Sequence, residues 1–134
     1  MSSEITAIYD GDMSARVGLP DSGEVATSAP VSCGGTGAGP SPKDLFLAGY
    51  ASCVVMAMDV AAKKAGFSIA GAEIAVSPVW APDGAALEAI EAKLVLPRQY
   101  TDEQLDVLRK GECYCPIHNS LRPEVRTSLT FVDK

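Results

Sequence analysis

The feature that most constrains the fold is an uncharged stretch from Leu45 to Met58, about fourteen residues long. Ser41 and Pro42 start it as a helix, because a capping serine followed by proline at the first helical position is a strong start signal. Apolar residues occur on every side of this helix, which we expect to run to about Gly66. Such a helix has to be covered on every side, and one small sheet covers a single face. We therefore predict a homodimer in which a second subunit supplies the remaining cover.

The uncharged stretch falls short of the ~20 apolar residues that a membrane span needs, so we expect a buried helix. The 134 residues are 47% hydrophobic and 21% charged, which is typical of a folded domain. A net charge of −6 without a run of lysine or arginine argues against nucleic acid and membranes as partners. Met1–Thr6 lacks the basic start and apolar stretch of a signal peptide. We therefore expect a cytoplasmic protein whose four cysteines stay reduced at rest.

Turn signals divide a single expected domain, residues 1–134, into four parts. We predict a β-meander at residues 1–30, a glycine-rich loop at 32–40, a central helix at 41–66 and a second half of strands and helices at 69–134. The loop cannot be regular structure, since it holds four glycines and a proline. The strands predicted for the meander are Ile5–Tyr9, Met13–Val17 and Glu24–Thr27.

The second half contains one ambiguous segment, Leu87–Leu96. Its composition favours a helix, yet its apolar residues also alternate as on one face of a strand. The other elements are clearer. We predict a strand at Ala72–Ser77, a helix that starts with a capping box at Thr101 and ends near Gly111, and a closing strand at Val125–Val132.

Two of the cysteines stand in distinctive settings. Cys53 lies within the apolar helix, and Cys115 starts a helical turn far downstream. In an intracellular chain this combination is more typical of a redox pair, one thiol attacking and the other resolving, than of a structural disulfide. The simpler alternative is that each thiol is a small buried hydrophobic group. Cys113 is interpreted as structural or as an alternative resolving thiol, and Cys33 in the loop as incidental.

A second class of function is a metal-binding module. It would use three of the cysteines together with His118, the only histidine in the chain. Zinc sites usually show paired Cys-x2-Cys or His-x3-His spacings, and the Cys113-x-Cys115 spacing is a poor match. For His118 itself, capping or packing within its turn is favoured over acid–base chemistry.

Taken in order, several segments resemble the OsmC family, which comprises osmotically inducible protein C and its organic hydroperoxide resistance relatives. They are Tyr9–Met13, the glycine-rich loop, Ser41–Leu45, Ala51–Cys53, and Cys115–Leu121 with the following Arg122–Val125. The resemblance implies an α+β, OsmC-like fold: an intertwined homodimer with antiparallel sheets wrapped around central cysteine-bearing helices. It also favours a strand for the ambiguous segment.

By the same resemblance, Cys53 is the peroxidatic cysteine, whose thiolate attacks the O–O bond of an organic hydroperoxide and becomes a sulfenic acid. Cys115 then condenses with it to form a disulfide, and an external dithiol, such as the lipoyl group of a carrier protein, completes the cycle. This chemistry needs no metal or organic cofactor. An apolar lining would suit a lipid-like or aromatic hydroperoxide. The residues expected to form it are Phe46, Leu47, Val54 and Met56.

The family's hydroperoxide reductases stabilise the thiolate with an arginine from the N-terminal strands, held by a glutamate ten residues before the cysteine. That position is Lys43 in this chain. Asp44 follows it, but nine residues turn a straight helix by about half a circle, so helix capping is its favoured role. Arg16 is the leading candidate for the arginine. Because of Lys43, the alternative is an OsmC-like stress-associated or small-molecule-binding protein without efficient peroxidase turnover.

Overall fold

The computed structural model describes residues 4–133, so Lys134 and the first three residues of the Met1–Thr6 segment, which was considered as a signal peptide, lie outside the described residues. The described residues form two compact units, which meet in sequence between Phe46 and Leu47. Each unit holds a three-stranded sheet. Together with the helices described below, these sheets give the expected α+β class.

The sheet of the first unit is an antiparallel meander, as predicted. Its strands, in their order across the sheet, are β1 (Thr6–Gly11), β2 (Ser14–Leu19) and β3 (Gly23–Ser28). The β1–β2 turn is formed by Asp12 and Met13, which both have positive φ angles, 54° and 56°. Two successive left-handed residues match the twist of a two-residue hairpin. The register of the first hairpin is therefore set by the backbone geometry of these two turn residues, neither of which is glycine.

Helix α1 (Pro42–Lys64) follows the glycine-rich loop and is the longest helix among the described residues. Ser41 Oγ accepts a hydrogen bond from the Asp44 N–H at 3.1 Å, and the Ser41 N–H donates to Asp44 Oδ2 at 3.0 Å. This reciprocal pair satisfies two backbone groups that the first turn would otherwise leave open. The capping role predicted for Asp44 is thus confirmed.

In the second unit, helix α1 buries only one of its apolar faces. The side chains buried along that face are Tyr50, Val54, Ala57, Met58, Ala61 and Ala62. Met56 and Val60 lie on another face and are 66% and 45% exposed. By length and composition alone α1 could also cross a membrane, a property that the core helices of soluble folds share.

The second sheet consists of β4 (Glu73–Trp80), β5 (Leu87–Leu96) and β6 (Arg126–Asp133), with β5 in the middle. The strand favoured by the resemblance for residues 87–96 is confirmed. Ile90, Leu94 and Leu96 are almost fully buried, so tertiary packing decides a segment whose composition favours a helix.

One detail differs from the expected antiparallel sheets, since β5 and β6 pair in parallel. A parallel pair needs a long crossover, which here contains helix α2 (Asp102–Gly111), a 3₁₀ turn (Glu112–Tyr114) and the short helix α3 (Pro116–Asn119). Helix α2 begins with the predicted capping box at Thr101. The crossover brings α3 into the same hydrophobic core as α1.

Candidate functional site

Cys53 lies midway along α1, in the second unit, and its side chain is partly buried. It packs against the hydrophobic cluster that includes Tyr50, Val54 and Cys115. Its thiol is free and lies close enough to the thiol of Cys115 to raise the pKa of Cys115. Two sulfur atoms that lie 62 positions apart in the chain are therefore neighbours in the fold.

Cys115 is fully buried and occupies the N-cap position of α3. Pro116 follows at the first helical position, where its fixed φ favours the start of a helix. The Cys115 Sγ accepts a hydrogen bond from the His118 N–H at 3.3 Å. The local sequence thus turns the thiol inward and holds it against α1.

The environment of Cys115 keeps its thiol protonated. Burial raises the pKa of Cys115, and the neighbouring thiol of Cys53 raises it further, while the N–H groups of His118 and Ile117 act in the opposite direction. Because a thiol titrates above neutrality even without such a shift, Cys115 is a thiol at pH 7. Of the two sulfurs, that of Cys53 is nearer to solvent.

A cleft of about 470 Å³ opens beside Cys53. Its lining comprises Gly49, Ser52, Cys53, Met56, Ala57, Val60, Tyr114 and Ile117. Most of these side chains are apolar, and the cleft is wide open to solvent. An apolar molecule that enters it would reach the less buried of the two thiols.

The predicted lining is right for Met56 and wrong for Val54 and Leu47, which pack into or against the core. The reason is helical geometry, since each residue turns by about 100°. Val54 follows Cys53 directly and so points elsewhere. Gly49, Met56 and Val60 lie four residues before and three and seven after Cys53, on its own face. Phe46 belongs to the first unit and is 43% exposed.

Three polar side chains form a row next to Cys115, and sequence reasoning did not find it. His118 Nδ1 lies 3.3 Å from the Tyr50 hydroxyl and 3.6 Å from Glu112 Oε2. Burial raises the pKa of Tyr50 to about 12, and the charges of Glu112 and Cys115 contribute to the shift. Glu112 lies only six residues before His118, and this short spacing was the available sequence signal of their contact. Tyr50 lies 68 residues away in sequence, so its contact with His118 had no such signal.

Arg16 lies on β2 of the first unit, where its guanidinium binds carboxylates. Arg16 Nε donates to Asp10 Oδ2 at 2.9 Å, Arg16 Nη2 donates to Asp10 Oδ1 at 3.1 Å, and Glu24 lies 4.0 Å away. These interactions raise the pKa of Arg16 and lower that of Asp10. Asp10 and Glu24 are thus the acidic partners of Arg16 within its unit.

The remaining cysteines, Cys33 and Cys113, are both exposed free thiols. Across residues 4–133, no group of three or more His, Cys, Asp and Glu side chains is arranged to hold a metal ion. Cys113 neighbours Lys64, Lys110 and Tyr114 in a separate surface depression. The cysteine that the fold brings to Cys53 is Cys115.

Comparisons with known proteins identify the family. The profile of the OsmC-like protein family matches residues 35–130. The organic hydroperoxide resistance protein of Xanthomonas axonopodis pv. citri is 30% identical over 110 residues, which cover 78% of this chain and 75% of that protein. The chain therefore belongs to the OsmC-like protein family.

Solved structures show the same fold. A candidate osmotic stress induced and detoxification response protein from Psychrobacter arcticus matches with a TM-score of 0.87 at 24% identity, over 98% of this chain and 96% of that chain. An organic hydroperoxide resistance protein from Elizabethkingia anophelis matches with a TM-score of 0.79 at 24% identity, over 100% and 97% of the two chains. These likenesses establish an OsmC-like fold.

Proposed function

We propose that this protein is a thiol-dependent peroxidase that reduces organic hydroperoxides to alcohols. The observation that carries the proposal is that two free thiols pack in one hydrophobic cluster but in different environments: Cys53 borders an open apolar cleft, and Cys115 is fully buried. The name of the Xanthomonas relative, an organic hydroperoxide resistance protein, supports the same substrate class.

In the first step the Cys53 thiolate attacks the terminal oxygen of the hydroperoxide. An S–O bond forms, the O–O bond breaks, and the alcohol leaves as an alkoxide that takes up a proton. The sulfur of Cys53 is oxidised to a sulfenic acid while the peroxide is reduced. The cleft favours hydroperoxides with apolar groups, because burying apolar surface is worth ~25 cal/mol per Å². Hydrogen peroxide, which has no such group, is the poorer substrate.

In the second step the Cys115 sulfur attacks the sulfenic sulfur of Cys53. An S–S bond forms, the S–O bond breaks, and the hydroxyl leaves as water with the proton that Cys115 gives up. The two side chains already pack in the same hydrophobic cluster, which favours this closure. The enzyme then carries the oxidising equivalents as a Cys53–Cys115 disulfide.

An external dithiol, such as the lipoyl group of a carrier protein, restores the two thiols. Its thiolate has to attack the sulfur of Cys53, because Cys115 has no exposed surface while Cys53 borders the cleft. Cys115 is then the leaving thiolate. Substrate and reductant therefore use the same entrance in turn, and the reaction requires no metal or organic cofactor.

Arg16 is the candidate that stabilises the Cys53 thiolate, with Asp10 and Glu24 orienting its guanidinium.

We further propose that the protein acts as a homodimer whose second subunit covers the exposed apolar face of α1. Its working compartment is the cytoplasm, where reducing systems keep surface thiols such as Cys33 and Cys113 free.

A second candidate function is supported by Lys43, which occupies the position where hydroperoxide reductases of this family carry glutamate. In that case the protein is an OsmC-like stress-associated or small-molecule-binding protein without efficient peroxidase turnover. The same cleft beside Cys53 would then hold a ligand that does not react. Steady-state turnover separates the two candidates directly.

We predict that Cys53→Ser lowers consumption of cumene hydroperoxide, with dihydrolipoamide as reductant, to the rate of the reagents alone. Cys115→Ser should reduce one equivalent of hydroperoxide and then stall, because the sulfenic acid lacks its resolving thiol. Cys33→Ser is the matched control, since it removes an exposed thiol from the first unit, and it should retain full turnover. Equal rates for Cys53→Ser and the unchanged protein would refute the peroxidase.

A further inference from the structure

Glu112, His118 and Tyr50 form a polar row that the reaction described above does not use. His118 Nδ1 lies 3.3 Å from the Tyr50 hydroxyl and 3.6 Å from Glu112 Oε2. Tyr50 is 1% exposed, and the side chains of His118 and Glu112 are 23% and 20% exposed. The row is therefore largely shielded from water, an environment in which a hydrogen bond is stronger and an unpaired polar group is costly.

The polar row joins the two helices that carry the thiols. Tyr50 belongs to α1 and precedes Cys53 by three residues, so their side chains are neighbours along one side of the helix. His118 belongs to α3 and follows Cys115 by three residues, and its backbone N–H donates to Cys115 Sγ at 3.3 Å. The contact between Tyr50 and His118 thus connects α1 with α3 within one helical turn of each thiol.

Helix α3 depends on contacts of this kind, because a helix of four residues is not stable by itself. Ile117 packs against the hydrophobic core, but apolar packing is not directional. Asn119 Nδ2 donates to the Cys113 carbonyl at 2.8 Å, a bond that stays within the crossover. The bond between Tyr50 and His118 reaches α1, and it forms in either tautomer, since Nδ1 accepts from the hydroxyl or donates to its oxygen.

We propose that Tyr50, His118 and Glu112 are positioning residues, which hold α3 on α1 so that the Cys115 thiol stays in place for disulfide closure with Cys53. This inference rests on the proposed function for its part in the reaction. Tyr50 anchors His118 to α1, and the Glu112 carboxylate orients the imidazole from the preceding 3₁₀ turn. Because closure is intramolecular, its rate and its equilibrium both depend on how well the two thiols are held together.

The equilibrium of the disulfide with glutathione tests this role without any peroxide. In a full chain with Cys33 and Cys113 changed to serine, Cys53 and Cys115 are the remaining thiols. This dithiol and one oxidised glutathione give the protein disulfide and two reduced glutathione molecules. The disulfide fraction is measured by mass spectrometry after acid quenching and alkylation, over a series of glutathione ratios. Tyr50→Phe should lower the equilibrium constant about fivefold, because it removes one hydrogen bond that holds the thiols together.

Tyr100→Phe is the matched control in the same unit. The Tyr100 hydroxyl donates to the Ser68 carbonyl at 2.9 Å, outside the polar row. This substitution therefore also deletes one phenolic hydroxyl and one hydrogen bond, and its equilibrium constant should equal that of the reference chain. An unchanged constant in Tyr50→Phe, or an equal fall in Tyr100→Phe, would overturn the inference.

Variants of His118 separate the hydrogen bond from packing. His118→Leu fills the space but removes Nδ1, so it should lower the constant at least as much as Tyr50→Phe. His118→Asn offers an amide atom close to the position of Nδ1 and should restore most of the loss. Tyr50→Phe combined with His118→Leu should be no worse than His118→Leu alone, because both remove the same bond. Additive losses in the combined chain would contradict the proposed link.

The closing step gives a second readout in the protein with all its cysteines. After one equivalent of cumene hydroperoxide, Tyr50→Phe should form the Cys53 sulfenic acid at the unchanged rate, measured by quenching with dimedone, and close the disulfide severalfold more slowly. Closure at the unchanged rate would also overturn the inference. A failure of the unchanged protein to form any sulfenic acid would instead refute the proposed function, and the glutathione equilibrium would still decide whether the polar row positions Cys115.

Discussion

Tyr50 and Cys115 show how burial controls protons at single residues of this protein. Both are acids that the fold keeps neutral, because burial disfavours their charged forms. The sequence identified the two thiols, since one lies in an apolar helix and the other at a helix start. It did not reveal Tyr50 as a partner of His118, because a contact between residues 68 positions apart depends on how the helices pack.

The raised pKa of Tyr50 predicts a dependence of stability on pH. The phenol ionises near pH 10 in the unfolded chain and at about 12 in the folded one. Its contribution is therefore complete below pH ~10 and is lost as the pH rises towards ~12, on the order of 2 kcal/mol in total. Urea unfolding across this range should show a steeper loss of stability for the unchanged protein than for Tyr50→Phe. Parallel curves would contradict the assignment.

Among the elements, helix α2 was predictable because its signals are local. Thr101 and Gln104 form the capping box that their spacing predicts. Strand β5 was not predictable from composition, since Leu87–Leu96 is rich in helix-forming residues and becomes a strand through its pairing with β4 and β6. The parallel β5–β6 pair could not be predicted either, because register and direction arise from contacts between distant segments.

The close approach of α2 to α1 makes Gly111 a sensitive position. A Cβ placed there would lie 3.0 Å from Met58 Cα and 3.1 Å from Ala61 Cβ. Gly111→Ala should therefore lower the free energy of unfolding by about 1–3 kcal/mol in urea titrations, as overpacking does.

Gly49→Ala, also within a helix, is the matched control. Its Cβ would meet Ile117 Cδ1 at an ordinary 3.9 Å, so it should be neutral or gain up to ~1 kcal/mol from helix propensity. A Gly111→Ala protein as stable as Gly49→Ala would contradict the packing described here.

At the scale of the whole molecule, the apolar character of α1 remains the dominant feature. The second unit buries the face that carries Tyr50 and Val54, while Met56 and Val60 stay exposed. The sequence predicts this excess of apolar surface but not which face is left open. In the proposed homodimer, a second subunit would supply the missing cover and would lie close to the cleft beside Cys53.

The most direct test of the central claim is the bond that one equivalent of cumene hydroperoxide creates. After alkylation of free thiols and digestion with trypsin, the account predicts a linked pair of peptides, residues 44–63 carrying Cys53 and residues 111–126 carrying Cys115. Cys113 lies in the second peptide as well, so the measurement is made by mass spectrometry on both the unchanged protein and Cys113→Ser. The predicted result is a Cys53–Cys115 link in both proteins. A Cys53 peptide that remains unlinked would contradict the account, and so would a link that is found in the unchanged protein but not in Cys113→Ser.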